Sequence, residues 1–228
     1  MSSRDAGTGA AGFAPARASC VASGLGGDDI HLWWFGHDRH RGRAPLKALL
    51  AAYLDVEPDA LSLVDDAHGR PHLAGRHGLH FNWSHSGSHA MVAVARALPA
   101  LGVDIEQRRA RPRVLELARR FFAEREHAAL QQLPPIDRND AFLRLWTAKE
   151  AVLKAHGRGL AYGLERVEFA VGDGAVRPLR FRGEVGGPDQ WQCVALAPDA
   201  AVVGTLAWRG PPRRICRFSP MDGDFAGA

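Results

Sequence analysis

Cysteine is scarce: Cys20, Cys193 and Cys216 are the only three in 228 residues. An odd number without Cys-x-x-Cys spacing excludes a disulfide framework and a zinc knuckle, and thiols in a reducing cytosol are the expected state. Long apolar runs are missing as well. Nothing approaches the ~18 consecutive apolar residues needed to span a bilayer, so no membrane association and a cytoplasmic location are expected. A strong charge of one sign is also absent, since 29 Lys plus Arg against 25 Asp plus Glu leave +4. Nucleic-acid binders cluster their charge far more densely, and this surplus suits a phosphorylated ligand or an acidic protein partner at least as well. Residues 1–28 are rich in Ala and Gly, but Gly12, Pro15 and Arg17 interrupt them. No h-region of ~7 to 15 residues forms there, and the segment reads as a disordered leader.

What is present is an ordinary globular mixture, 46% hydrophobic and 24% charged, which excludes bulk disorder, collagen and coiled coil. Ile30 to Phe35 reads as a first core strand, and Arg43 to Leu54 as a helix with Pro45 in its first turn. Short strands are expected at 61–64, 79–83, 90–95 and 101–105, separated by turn residues. Helices follow at 114–122, 124–133 and 139–156, with Pro134-Pro135 breaking the last two apart. Strand chemistry returns at 167–171, 191–196 and 202–208. Elements segregate rather than alternate, so the expected class is α+β. The expected division is a leader over 1–28, one half over 29–105, a second over 106–210 and a solvated tail over 211–228.

Three clusters can carry chemistry. Asn82-Trp83-Ser84-His85-Ser86-Gly87 concentrates polar groups where a turn is expected. Adjacent residues on an extended chain point to opposite faces, so Ser84 and His85 are poorly placed as nucleophile and base for each other. Phosphate capture by backbone N–H groups, hydroxyls and imidazole is geometrically easier, and a capped turn is the plain alternative. In Leu101-Gly102-Val103-Asp104-Ile105-Glu106 the strand period puts both carboxylates on one face, about 7 Å apart. A hard divalent cation relieves such a pair, and Mg²⁺ completes its octahedron with water and phosphate oxygens; a solvated strand end is the alternative. On the helix, Lys149 projects from the apolar face formed by Phe142, Leu145, Trp146, Val152 and Leu153, which calls for a nearby anion. Glu150 and Lys154 are four apart, as a surface ion pair or as two groups of one site.

In this order the clusters resemble the Sfp-type 4′-phosphopantetheinyl transferases. The matching motifs are Gly69-Arg70-Pro71, Phe81-Asn82-Trp83-Ser84-His85-Ser86, Gly102-Val103-Asp104-Ile105-Glu106, Phe121-Phe122 with Glu126, and Trp146-Thr147-Ala148-Lys149-Glu150-Ala151-Val152-Leu153-Lys154 followed by Gly157-Arg158-Gly159-Leu160. The resemblance implies a pseudo-twofold arrangement of two similar α+β halves with coenzyme A and Mg²⁺ in the cleft. It implies Asp104, Glu106 and Glu150 as metal ligands, and attack of a carrier-protein serine on the β-phosphate with release of adenosine 3′,5′-bisphosphate. Glu150 is then the general base, with Glu106 as the alternative, and Lys154 stabilises the leaving group. Ser84, His85 and Arg70 contact phosphate, and Lys149 stays open between structural pairing and ligand contact. Whereas the family has a longer spacer after its first strand, here Phe35 is followed almost at once by Arg39, Arg41 and Arg43. Register favours Arg39 for the 3′-phosphate of coenzyme A, with Arg41 and Arg43 as alternatives.

Gln107 to Phe121 carries six arginines, Arg108, Arg109, Arg111, Arg113, Arg119 and Arg120, against one acid, Glu116. With Phe121 and Phe122 behind them, the expected partner is an acyl or peptidyl carrier protein with an acidic helix. No nucleic-acid role is expected, because no aromatic-interleaved platform accompanies the arginines. A monomer is expected, since two fused halves already form a cleft. Two competing readings are a metal-dependent nuclease using Asp104 and Glu106, and a non-catalytic coenzyme A or carrier-protein binding relative.

Overall fold

The computed structural model describes residues 12–75, 78–171 and 177–221. In chain order the elements are β1 (Ala14–Ala16), α1 (Ala18–Ala22), β2 (Asp29–Gly36), α2 (Ala44–Leu54), β3 (Leu63–Asp65), β4 (Pro71–Leu73), β5 (Leu79–Ser86), β6 (His89–Arg96) and β7 (Leu101–Gln107). The helices α3 (Val114–Phe121), α4 (Glu124–Gln132) and α5 (Pro135–His156) follow, and then β8 (Val167–Phe169), β9 (Pro178–Phe181), β10 (Trp191–Leu196), β11 (Val202–Arg209) and β12 (Arg214–Pro220).

Two main sheets organise these strands into an α+β fold. The first runs β1-β12-β2-β6-β5 and the second β10-β11-β7, with β3/β4 and β8/β9 as two-stranded additions. β12 is parallel to both β1 and β2, whereas β2, β6 and β5 are antiparallel. The period of two divides each strand between layers. Trp33 and Phe35 of β2 pack with Leu46, Leu49 and Leu50 of α2. Ile30, Leu32 and Trp34 of the same strand face inward with Leu101, Val103 and Ile105 of β7 and Leu206 of β11. On the far side of the second sheet, Val203 and Ala207 join Ala148, Ala151 and Val152 of α5. The layers are therefore α2, first sheet, second sheet and α5, and each half is a sheet backed by one long helix.

Several sequence expectations change. The leader expected over 1–28 lies outside the described residues up to 11, but from Phe13 onward it forms β1 and α1, and Phe13, Ala18, Ala22 and Leu25 are buried. The tail expected to be solvated supplies β12, held in place by the Arg214 guanidinium on both carboxylate oxygens of Asp29 at 2.8 Å. The division expected after residue 105 falls inside β7, whose partner is β11 of the second sheet. The segment 82–86, expected as a turn, completes β5, and the turn lies at Gly87. Helix α5 begins at Pro135 rather than 139, because a proline in the first turn lacks only an N–H that would be unpaired anyway.

Candidate active site

β5 edges the first sheet and β7 edges the second. The two strands meet through side chains rather than through a main-chain ladder. Asn82, Ser84 and Ser86 alternate along β5. Asn82 Oδ1 accepts the Val103 N–H at 2.8 Å, Ser84 Oγ the Ile105 N–H at 3.3 Å and Ser86 Oγ the Gln107 N–H at 3.0 Å. Edge N–H groups of β7 are thereby satisfied in a buried setting. The serine hydroxyls then donate onward, Ser84 to Asp104 Oδ1 at 2.8 Å and Ser86 to Glu106 Oε2 at 2.9 Å. Each carboxylate is thus aimed by the same side chain that fixes its strand.

On the opposite flank α5 lies close against β7. A Cβ on Gly102 would sit 2.0 Å from the Ala151 carbonyl oxygen and 2.7 Å from the Ala155 nitrogen, so only glycine permits this approach. The contact brings Lys154 to Asp104. Lys154 Nζ lies 2.6 Å from Asp104 Oδ1, 3.1 Å from Ser84 Oγ and 3.4 Å from the Val103 carbonyl. The i, i+4 pair of Lys154 with Glu150 is replaced by this cross-element pair. Glu150 is itself buried. Burial and the neighbouring Asp104 push its carboxyl up to about 7; Lys154 opposes the shift and Glu106 adds to it.

The other expected residues separate. Arg70 spends its guanidinium on the Lys154 carbonyl at 2.6 Å, the Leu101 carbonyl at 3.2 Å and the Phe81 carbonyl at 3.5 Å, tying both halves together at the cavity wall. Ser84 is committed to Asp104, which leaves its proton unavailable to phosphate. His85 leaves β5 on the other face and stacks on His37 at 4.3 Å beside Trp83. Burial lowers its pKa, the neighbouring His37 and Lys154 add to this, and Asp104 opposes it. Arg39 is exposed in the short turn after β2, and Arg43 pairs with Asp65 at 2.6 Å. Lys149, left open from sequence, is fully buried on Glu126 at 2.6 Å and donates to the Leu164 and Val167 carbonyls. Its role is structural.

The arginine segment is also divided. Arg108 donates to Asp140 and to the carbonyls of Ala200 and Val202, and Arg111 reaches Glu106 Oε2 at 3.2 Å. Arg109, Arg113, Arg119 and Arg120 are the exposed ones, and Phe122 is buried while Phe121 is only partly so. Sequence reasoning did not anticipate the Arg111 contact, which joins residues five apart across the end of a strand.

Glu150 and Lys154 line one wall of a cavity of about 440 Å³ between the halves. His68, Arg70, Trp83 and residues 157–161 of the glycine-rich loop line it as well. Asp104 Oδ2 is buried without a hydrogen-bond partner. An orphaned carboxylate oxygen beside a second buried carboxyl, whose ionisation its burial and the Asp104 charge oppose, is a place where a hard divalent cation fits and relieves the repulsion. Among the described residues, however, no three His, Cys, Asp or Glu side chains are already gathered to hold one. Among the described residues no helix is long and apolar enough to cross a membrane.

Residues 100–204, which include β7, α5 and the start of β11, match the model of the 4′-phosphopantetheinyl transferase superfamily. The 4′-phosphopantetheinyl transferase HetI of Nostoc sp. is 34% identical over 199 residues, covering 83% of this chain and 81% of that protein. A putative 4′-phosphopantetheinyl transferase of Synechocystis sp. is 34% identical over 152 residues, 66% of this chain and 60% of that protein. The transferase Sfp of Bacillus subtilis is 30% identical over 131 residues, 56% of this chain and 57% of that protein. With the motifs in order and four fifths of a relative covered, the chain belongs to the 4′-phosphopantetheinyl transferase family and is an enzyme that transfers phosphopantetheine.

Proposed function

We propose that the acceptor is a serine hydroxyl of an acyl or peptidyl carrier protein, that the donor is coenzyme A, and that the reaction needs Mg²⁺. The observation that carries this reading is that Glu150 and Lys154 line one inter-half cavity while Lys154 holds Asp104 directly behind them, in a chain of this family. Asp104, Glu106 and Glu150 would hold the cation. When bound, Mg²⁺ supplies Lewis-acid neutralisation of charge on the pyrophosphate.

The chain's own groups do the rest. Glu150 takes the serine proton, with Glu106 as the alternative base, while the serine oxygen bonds to the β-phosphorus of coenzyme A. The phosphoanhydride bond breaks and adenosine 3′,5′-bisphosphate leaves with its electron pair. Lys154 already sits on an anionic oxygen of Asp104 and meets the charge that grows on the leaving phosphate. Arg70 supports this wall through the carbonyls it holds. His85 and Arg39 serve the nucleotide end; Arg43, engaged with Asp65, is the weaker candidate for the 3′-phosphate. The exposed Arg109, Arg113, Arg119 and Arg120 with Phe121 steer the acidic carrier helix. The metal-dependent nuclease has no support in these features.

The test incubates the chain with coenzyme A, Mg²⁺ and a panel of apo carrier proteins and follows carrier mass. One added phosphopantetheine per carrier is expected. Glu150→Gln is expected to lower the rate by at least ~10²-fold with an unchanged circular dichroism spectrum. No mass gain on any carrier sinks the proposed acceptor, and retained activity in the variant removes Glu150 from the mechanism.

A further inference from the structure

Glu106 already has a cation. Its Oε2 accepts from Ser86 Oγ at 2.9 Å and faces Arg111 Nη2 at 3.2 Å, with the two charged side chains 22% and 36% exposed. The Arg111 main chain is fixed independently of this contact. Its N–H donates to Asn139 Oδ1 at 3.0 Å, and Asn139 Nδ2 donates in turn to the Arg109 carbonyl, so α5 clamps the loop. The guanidinium can therefore swing while the backbone stays in place. Its seat on Glu106 is also incomplete, because Arg111 Nε is buried without a partner, a cost that departure of the side chain would relieve.

We propose that Arg111 is a built-in counter-ion of Glu106 that competes with the divalent cation, so that metal affinity in the resting chain is set by whether Arg111 is seated. The inference rests on the metal reading above, in which Glu106 is a ligand. Two cations cannot share one carboxylate face without mutual repulsion, so binding the metal and unseating Arg111 are linked. Arg111 lies in the same arginine segment as Arg109 and Arg113, which are proposed above to steer the carrier. A guanidinium released from Glu106 becomes a donor for an acidic partner, and by reciprocity an acidic partner that takes Arg111 tightens the metal site. In this role Arg111 is a positioning residue.

The test is Mn²⁺ affinity of the full chain without coenzyme A, read by electron paramagnetic resonance of free Mn²⁺. Arg111→Gln is expected to bind about two- to fivefold more tightly, the range that one partly exposed ion pair supports, and Arg111→Lys to stay near the native value. Arg113→Gln removes the same charge from the same segment, but Arg113 faces Glu116 at 4.0 Å and is expected to leave the affinity unchanged. An Arg111→Gln affinity equal to or weaker than native overturns the inference, and so does an equal gain in Arg113→Gln, which would mean bulk charge rather than contact. Asp104→Asn separates the two levels. If it binds Mn²⁺ as the native chain does, the metal centre itself is misplaced; if it loses Mn²⁺ while Arg111→Gln is unchanged, only the counter-ion role falls.

Discussion

Lys149 and Glu126 are both withdrawn from solvent, and each satisfies more than the other. The ammonium also donates to two carbonyls and lies 4.9 Å from the centre of the Phe122 ring. The carboxylate accepts the Ala123 and Phe169 N–H groups, joining the first turn of α4 to β8. Removing one member strands the other in an apolar core, so Lys149→Met is expected to cost about 3–5 kcal/mol by urea denaturation. A loss under about 1 kcal/mol would show that the pair is not a structural tie. His31 offers a second test. It is buried, and its Nδ1 lies 2.7 Å from Tyr53 Oη, which accepts from Trp33 Nε1 at 2.8 Å. The imidazole is thus held in a buried hydrogen-bonded group whose bond to the phenol follows the His31 tautomer. Burial, the largest cause, lowers the His31 pKa from 6.5; Asp29 opposes this and Arg214 adds to it. Below pH 6.5 the unfolded chain gains a proton that the folded chain does not, so stability is lost as pH falls from 6.5 toward the folded pKa. His31→Gln lacks this term. The stability difference between native and variant should shift against the native chain by up to about 1.4 kcal/mol per pH unit in that window; a difference constant from pH 8 to 5 refutes the assignment.

At the level of elements, the site is the seam between β5, β7 and α5, and Gly102 sets its width. Gly102→Ala would drive a methyl into the Ala151 carbonyl. The expected result is a loss of about 1–3 kcal/mol as α5 shifts outward. Transfer should fall by as much as ~10²-fold as well, because Glu150 and Lys154 ride on that helix while Asp104 does not. Unfolding curves and initial rates on one preparation check both, and an unchanged rate would mean that the seam tolerates a wider gap. Much of this was legible in the chain. Short apolar runs bounded by turn residues located β2, β6, β7, β10 and β11, and the two-residue period placed Asp104 and Glu106 on one face. Contacts between distant elements were not legible. Nothing local says that the polar side chains of β5 bind the backbone of β7, that Lys154 prefers Asp104 to Glu150, or that Arg111 turns back on Glu106. β4 and β9 are three and four residues long, and pairing rather than pattern defines them. β1 and β12 escaped for the same reason, being a proline-containing trio and an arginine-bearing segment that become strands only by pairing, β12 with β2 and β1 with β12.

For the whole molecule, the chain returns at its C-terminal end to the sheet where it began. After the second half is complete, β12 enters the first sheet between β1 and β2, pairing Ile215 with Ile30 and Phe218 with Trp33. The Phe218 ring lies 5.0 Å from His31 and 5.1 Å from Trp33. Arg213 adds bonds to the Gly27 and Arg96 carbonyls. The two halves are consequently not separable at a single cut, because the first half needs residues from both ends of the described chain. A chain ending after Pro211 keeps every residue assigned to the reaction and the whole second sheet. It nevertheless loses the neighbour of β2, leaves β1 without its partner strand, and uncovers the His31, Tyr53 and Trp33 group. Its expected loss exceeds the ~3 kcal/mol that bounds most single substitutions, seen as a lower urea midpoint and earlier quenching of tryptophan fluorescence. Transfer activity should disappear with the fold and at the same denaturant concentration, because Ser84 and Ser86 hold Asp104 and Glu106 from an edge of that same sheet. A truncated chain with the native midpoint would return residues 212–221 to the role of a solvated tail.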